Sequence, residues 1–98
     1  MATVLVIEDE RKLRELLRSY LERDGLAVLS AGTGAEGLSL AVESEPDLVV
    51  LDLGLPDIPG EAVATELRRV SSMPIVMLTA RPTRSTGFEG WNWVRTIT

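Results

Sequence analysis

The sequence predicts an α/β domain built on a doubly wound parallel sheet. Short, nearly all-apolar, β-branched runs recur along the chain, as strands buried on both faces do. The segments between them carry apolar residues at helical spacing. The two signals alternate as β-α-β-α-β-α-β through about residue 80, an order that joins parallel strands by right-handed crossovers.

Taken in order, "TVLVIE" (Thr3–Glu8) is the first strand. Leu13, Leu16, Leu17, Tyr20 and Leu21 then fall at i, i+3, i+4, i+7 and i+8, a helical stripe expected to face the core. Gly25 stands where a helix stops. "LAVLSA" is the second strand. Thr33 and Glu36 have capping-box spacing, and Ala35, Leu38, Ala41 and Val42 form the second stripe, ended by Pro46. "DLVVLDL" is the third strand. "PDIPG" is a turn with Pro59 placed for a helix start. Val63, Leu67 and Val70 mark the third helix, and "PIVMLTA" is the fourth strand.

Composition narrows the function. Ninety-eight residues make one small domain. A net charge of −5 leaves no basic surface to neutralise phosphates, so this segment is expected to bind no nucleic acid. With no cysteine and no histidine, Cys/His zinc sites, thiol nucleophiles, disulfides and histidine general bases are excluded. The N-terminus lacks a basic region and a long apolar run, so it does not read as a signal peptide. No apolar stretch approaches a membrane span. The expectation is a cytoplasmic protein without a membrane partner.

In doubly wound folds ligands sit outside the carboxyl ends of the strands. Two constellations lie there. "GTGAEG" (Gly32–Gly37) matches G-x-G-x-x-G, and Asp52 follows Gly32 by 20 residues, near the spacing of a ribose-binding acid. This nucleotide-binding reading stays as an alternative. Against it, the motif follows the second strand, a capping box already explains Thr33 and Glu36, and the acids after the first strand are left unexplained. Glu8, Asp9 and Asp52 form the other constellation. Carboxylates on adjacent strand ends repel one another unless a cation lies between them. Mg2+ prefers hard oxygens, one or two carboxylates and a substrate phosphate. The plain alternative is that Glu8 and Asp9 are solvated or cap the first helix.

"VLVIEDE", "DLVVLDLGLPDIPG" and "PIVMLTA" together resemble the receiver domain of two-component response regulators, over residues 2 to about 81. The resemblance implies a flavodoxin-like sheet of order 2-1-3-4, here without the usual fifth strand and last two helices. It implies that Asp52 accepts a phosphoryl group from a sensor histidine kinase, and that Glu8, Asp9, Asp52 and the Gly54 backbone carbonyl hold Mg2+. Thr79 and Ala80 match switch positions, and Pro56 and Gly60 match the loop that follows the phosphoacceptor. A receiver catalyses only its own phosphorylation and dephosphorylation, so no separate enzyme activity is expected. The parent resembles a winged-helix transcriptional regulator.

The pattern breaks after about Arg81. The family places a phosphate-contacting lysine later in the chain, yet Lys12, on the first helix, is the only lysine present. Residues 82–98 include both tryptophans, Trp91 and Trp93. Codons for Trp91-Asn92-Trp93-Val94, read one base earlier, must encode Glu-Leu-Gly after a Leu, Met or Val. With permitted synonymous codons Ser85–Thr98 reads "VDRVRGLELGADDY", the text that the family would place after "TAR". The expectation is a receiver over 1–81, incomplete, followed by a non-native, irregular tail over 82–98 that is out of frame and ends at an out-of-frame stop. Its rival is a genuine tail with an exposed aromatic patch formed by Phe88 and the two tryptophans. Strand four is expected to be left as an open apolar edge prone to self-association, with phosphorylation impaired.

Overall fold

The computed structural model describes residues 1–78 and the backbone of residues 94–97. Strands β1 (Thr3–Ile7), β2 (Ala27–Ala31), β3 (Leu48–Asp52) and β4 (Ile75–Leu78) alternate with helices α1 (Arg11–Arg23), α2 (Gly34–Ser44) and α3 (Gly60–Val70). The four strands are parallel, in the expected order 2-1-3-4.

Alternation along the strands sorts the core into two layers. Leu5, Ile7, Val49, Leu51, Ile75 and Met77 face α2 and α3, where Ala41, Val63, Ala64 and Leu67 close over them. Val4, Val6, Val28 and Val50 face α1, which contributes Leu17 and Leu21. Successive strand residues point to opposite faces, so strands covered on both sides must be apolar throughout.

Helix ends obey local chemistry. Gly25, at φ +84°, donates to the Glu22 carbonyl, and Leu26 donates to that of Leu21, which closes α1 in a Schellman turn. Thr33 Oγ1 accepts from the Glu36 N–H at the start of α2, and Glu36 reaches back to the Gly32 N–H. The capping box is present, with its return bond one residue earlier than the ideal pattern. At the end of α3, Arg68 folds back and donates to the carbonyls of Ser71 and Met73.

Three expectations need correction. Leu16 and Tyr20 were placed on the buried stripe of α1, but they are 51% and 57% exposed. Among the described residues α1 is the only helix on its face, so a single i, i+4 row meets the sheet and its flanks stay open. Val42 and Val70 are likewise exposed, at the far sides of α2 and α3. The third correction concerns β4, which is not the edge of the sheet. A fifth strand, β5 (Val94–Ile97), pairs with it antiparallel, Ile75 opposite Ile97 and Leu78 opposite Val94. Unpaired N–H and C=O groups on an apolar strand recruit a partner, and "VRTI" is rich in β-branched residues. The expected open edge for self-association is therefore covered, and residues 94–97 are not irregular. The rest of the tail, 82–93 and Thr98, lies outside the described residues, and so do Thr79, Ala80 and Arg81.

Candidate functional site

Register brings the acids together. Ile7 pairs with Leu51, so Glu8 and Asp52 follow as neighbours at the carboxyl ends of β1 and β3. Both continue the parity of Val6 and Val50, on the α1 side of the sheet. Asp9 is the next residue along. One carboxylate oxygen from each of Glu8, Asp9 and Asp52 can be chosen so that all three lie within 4.8 Å of one another.

The three carboxylates differ in environment. Asp9 is exposed, Asp52 is half-buried, and Glu8 is only 4% exposed. The Glu8 N–H donates to the Ala31 carbonyl at 3.0 Å, and its own carbonyl accepts from Arg14 Nη1 at 2.8 Å. Its carboxylate accepts from the Glu10 N–H at 2.8 Å, which favours the ionised form. Burial outweighs that bond, and the neighbouring charges of Asp52 and Asp9 act in the same sense. The Glu8 carboxyl is pushed from 4.5 up to about 7. A buried acid beside two others is the situation that a divalent cation relieves, and the donor set, all carboxylate oxygen, suits Mg2+ better than a softer metal. The residues present therefore fit the metal that the resemblance implies.

The loop after Asp52 is held at its base. The Leu53 N–H donates to the Leu78 carbonyl, and the Gly60 N–H donates to the Leu53 carbonyl. Gly60 is buried so tightly that a Cβ there would lie 2.6 Å from Leu53 Cα and 2.7 Å from the Asp52 carbonyl oxygen. Only glycine lets α3 start directly against Asp52 and Leu53. Gly54 lies two residues past Asp52, and Pro56 is exposed at the loop surface. Lys12 is exposed on α1, as expected.

The Gly32–Gly37 motif has another occupant. The N–H groups of Gly34 and Ala35, the first of α2, donate to Asp57 Oδ1 and Oδ2 at 2.8 and 3.0 Å. The next N–H, that of Glu36, is taken by Thr33. An anionic side chain stands where a pyrophosphate would bind, so the dinucleotide alternative loses its site. Sequence reasoning saw Asp57 only as part of a turn. The available signal was the first turn of α2, which offers two N–H groups with no local acceptor.

Comparison with known proteins agrees with this geometry. The family described as the response regulator receiver domain matches residues 4–92. The KDP operon transcriptional regulatory protein KdpE of Escherichia coli is 45% identical over 85 residues, 87% of this chain and 38% of that protein. The transcriptional regulatory protein SrrA of Staphylococcus aureus is 40% identical over 88 residues, 90% of this chain and 36% of that protein. The chain thus spans less than two-fifths of these relatives. Among solved structures, the response regulator TrrA of Thermotoga maritima in complex with Mg(2+)-BeF superposes with a TM-score of 0.81 at 35% identity. That match covers 93% of this chain and 80% of TrrA. TrrA in complex with the histidine kinase ThkA gives 0.79 at the same identity, over 93% of this chain and 79% of the other. No helix among the described residues is long and apolar enough to cross a membrane. With its motifs, sheet order and acidic strand ends in register, the chain belongs to the response regulator receiver domain family of two-component signalling.

Proposed function

We propose that Asp52 accepts a phosphoryl group from the phosphohistidine of a sensor histidine kinase, with Mg2+ held by Glu8, Asp9, Asp52 and the Gly54 carbonyl. The observation that carries this reading is the convergence of the three carboxylates within 4.8 Å at the ends of β1 and β3. An Asp52 carboxylate oxygen attacks phosphorus, the P–N bond breaks, and the leaving imidazole takes up a proton. Mg2+ would neutralise charge on the transferring group, which is the main requirement of a loose phosphoryl-transfer transition state. Asp52 needs no general base, because its nucleophile is the ionised carboxylate. No turnover of a separate substrate is proposed.

A kinase partner is supported by the TrrA–ThkA complex, and a role in transcription by the names of KdpE and SrrA; the winged-helix output module belongs to the same proposal and rests on the family resemblance alone. A cytoplasmic location is part of the same proposal. We further propose that residues 82–98 are read out of frame, so that this segment does not carry the family's residues and phosphorylation is slowed. Resequencing the coding DNA tests this. Clean in-frame reads through codons 81–84 would leave the genuine-tail reading in its place.

Incubation with acetyl phosphate and Mg2+, followed by intact mass, tests the function. The expected result is a slow, Mg2+-dependent gain of one phosphoryl group, absent in Asp52→Asn. A gain that persists in Asp52→Asn, or that ignores Mg2+, would overturn the assignment.

A further inference from the structure

The loop from Leu53 to Pro59 is pinched at its base by Gly60, but its tip has no regular secondary structure to hold it. Asp57 supplies the missing attachment. Its carboxylate spans the two free N–H groups at the start of α2, 22 and 23 residues earlier in the chain. This is a bidentate, charge-assisted contact at the positive end of a helix. Gly34 is shaped for it, since a Cβ there would lie 2.9 Å from Val63 Cγ2 and 3.2 Å from Ile58 Cβ. The Ala35 and Gly34 N–H groups hold the Asp57 carboxyl below its usual range, as expected for an anion that accepts both. The bond thus ties α2, α3 and the loop between Asp52 and α3 at one point.

We propose that Asp57 is a positioning residue: by tethering the loop tip to the N-terminus of α2 it fixes Gly54 where the metal needs a backbone carbonyl. This rests on the reading of Gly54 as a Mg2+ ligand. Both Asp57 carboxylate oxygens are taken up by the N–H groups of α2, so Asp57 is not counted among the metal ligands. It acts as the outer partner of a ligand, a class whose loss typically weakens metal binding roughly tenfold or more. The sequence hides it because the tether joins segments that local patterns treat separately.

The test uses the full chain in three forms: wild type, Asp57→Ala and Thr33→Ala. Thr33→Ala removes a cap from the same helix end without touching the loop. Without metal, 15N relaxation at Gly54 and Leu55 should show loss of order in Asp57→Ala and none in Thr33→Ala. With Mg2+, calorimetry should show binding weakened about tenfold in Asp57→Ala and unchanged within twofold in Thr33→Ala. Asp57→Asn, which keeps one acceptor oxygen, should fall between wild type and Asp57→Ala and serves if the alanine variant does not fold. Equal loop order in wild type and Asp57 variants overturns the tether, whether or not the metal binds. Equal loss in Thr33→Ala also overturns it, since fraying of α2 would then be the cause. Wild-type chain that keeps the ordered loop yet binds no Mg2+ would overturn the metal assignment of Gly54, and with it the positioning role.

Discussion

Replacing Glu8 with glutamine should remove most of the pH dependence of stability between pH 4.5 and 7. In the folded chain the Glu8 carboxyl is raised from 4.5 to about 7, chiefly by burial. Over that interval the folded state holds a proton that the unfolded chain has already released, so stability falls as pH rises. The gap between 4.5 and about 7 corresponds to roughly 3 kcal/mol, fully expressed above pH 7. Against a typical net stability of about 5–15 kcal/mol this is large enough to measure. Glutamine keeps an oxygen to accept the Glu10 N–H but cannot ionise. Urea unfolding of the metal-free chain at pH 5 and pH 8 is the assay. Wild type should lose on the order of 3 kcal/mol between them, and Glu8→Gln should lose little. Mg2+ should restore wild-type stability at pH 8 far more than at pH 5, where the proton competes with it, by about 2.7 kcal/mol at a hundred times its Kd. Asp57 acts with the opposite sign in a separate window. Its lowered pKa contributes stability above 3.8 that is lost only at more acidic pH. A wild-type profile flat from pH 5 to 8, or an equal slope in Glu8→Gln, would refute the buried-carboxylate account.

Other perturbations follow from the packing. Gly60→Ala places a Cβ against the backbone of Leu53 and Asp52, neither of which can rotate away. It should cost about 1–3 kcal/mol or more by urea unfolding, and it should weaken Mg2+ binding because Asp52 itself must shift. Arg68→Met should destabilise by about 1–3 kcal/mol, since the carbonyls of Ser71 and Met73 lose their donor, with Mg2+ affinity unchanged. Thr33→Ala should cost about 1 kcal/mol, the usual penalty for losing an N-cap, read from the shift in urea midpoint.

The strands and the acids that end them were legible because both are written in short stretches of sequence. Short β-branched apolar runs read as strands covered on both faces, and the sheet order that the family resemblance implied places the residues after β1 and β3 side by side. What escaped depends on contacts distant in sequence. The Leu16 and Tyr20 stripe has the right period, but the period does not say how many helices share a face. "VRTI" looks like part of a foreign tail, yet an unpaired β4 accepts any short β-branched segment. The glycine motif matched a nucleotide fingerprint because a phosphate and the Asp57 carboxylate ask the same thing of a helix N-terminus. Pattern alone cannot separate them.

Asp52 as the Mg2+-dependent phosphoacceptor is tested most directly by locating the modified residue. After acetyl phosphate treatment with and without Mg2+, borohydride reduces an acyl phosphate to homoserine, and peptide mapping finds the position. Homoserine at position 52, formed only with Mg2+, is the result expected from the carboxylate cluster. Homoserine at position 9, the longer 5-hydroxynorvaline that a reduced glutamyl phosphate would leave at position 8, or homoserine at 52 irrespective of Mg2+, would contradict it.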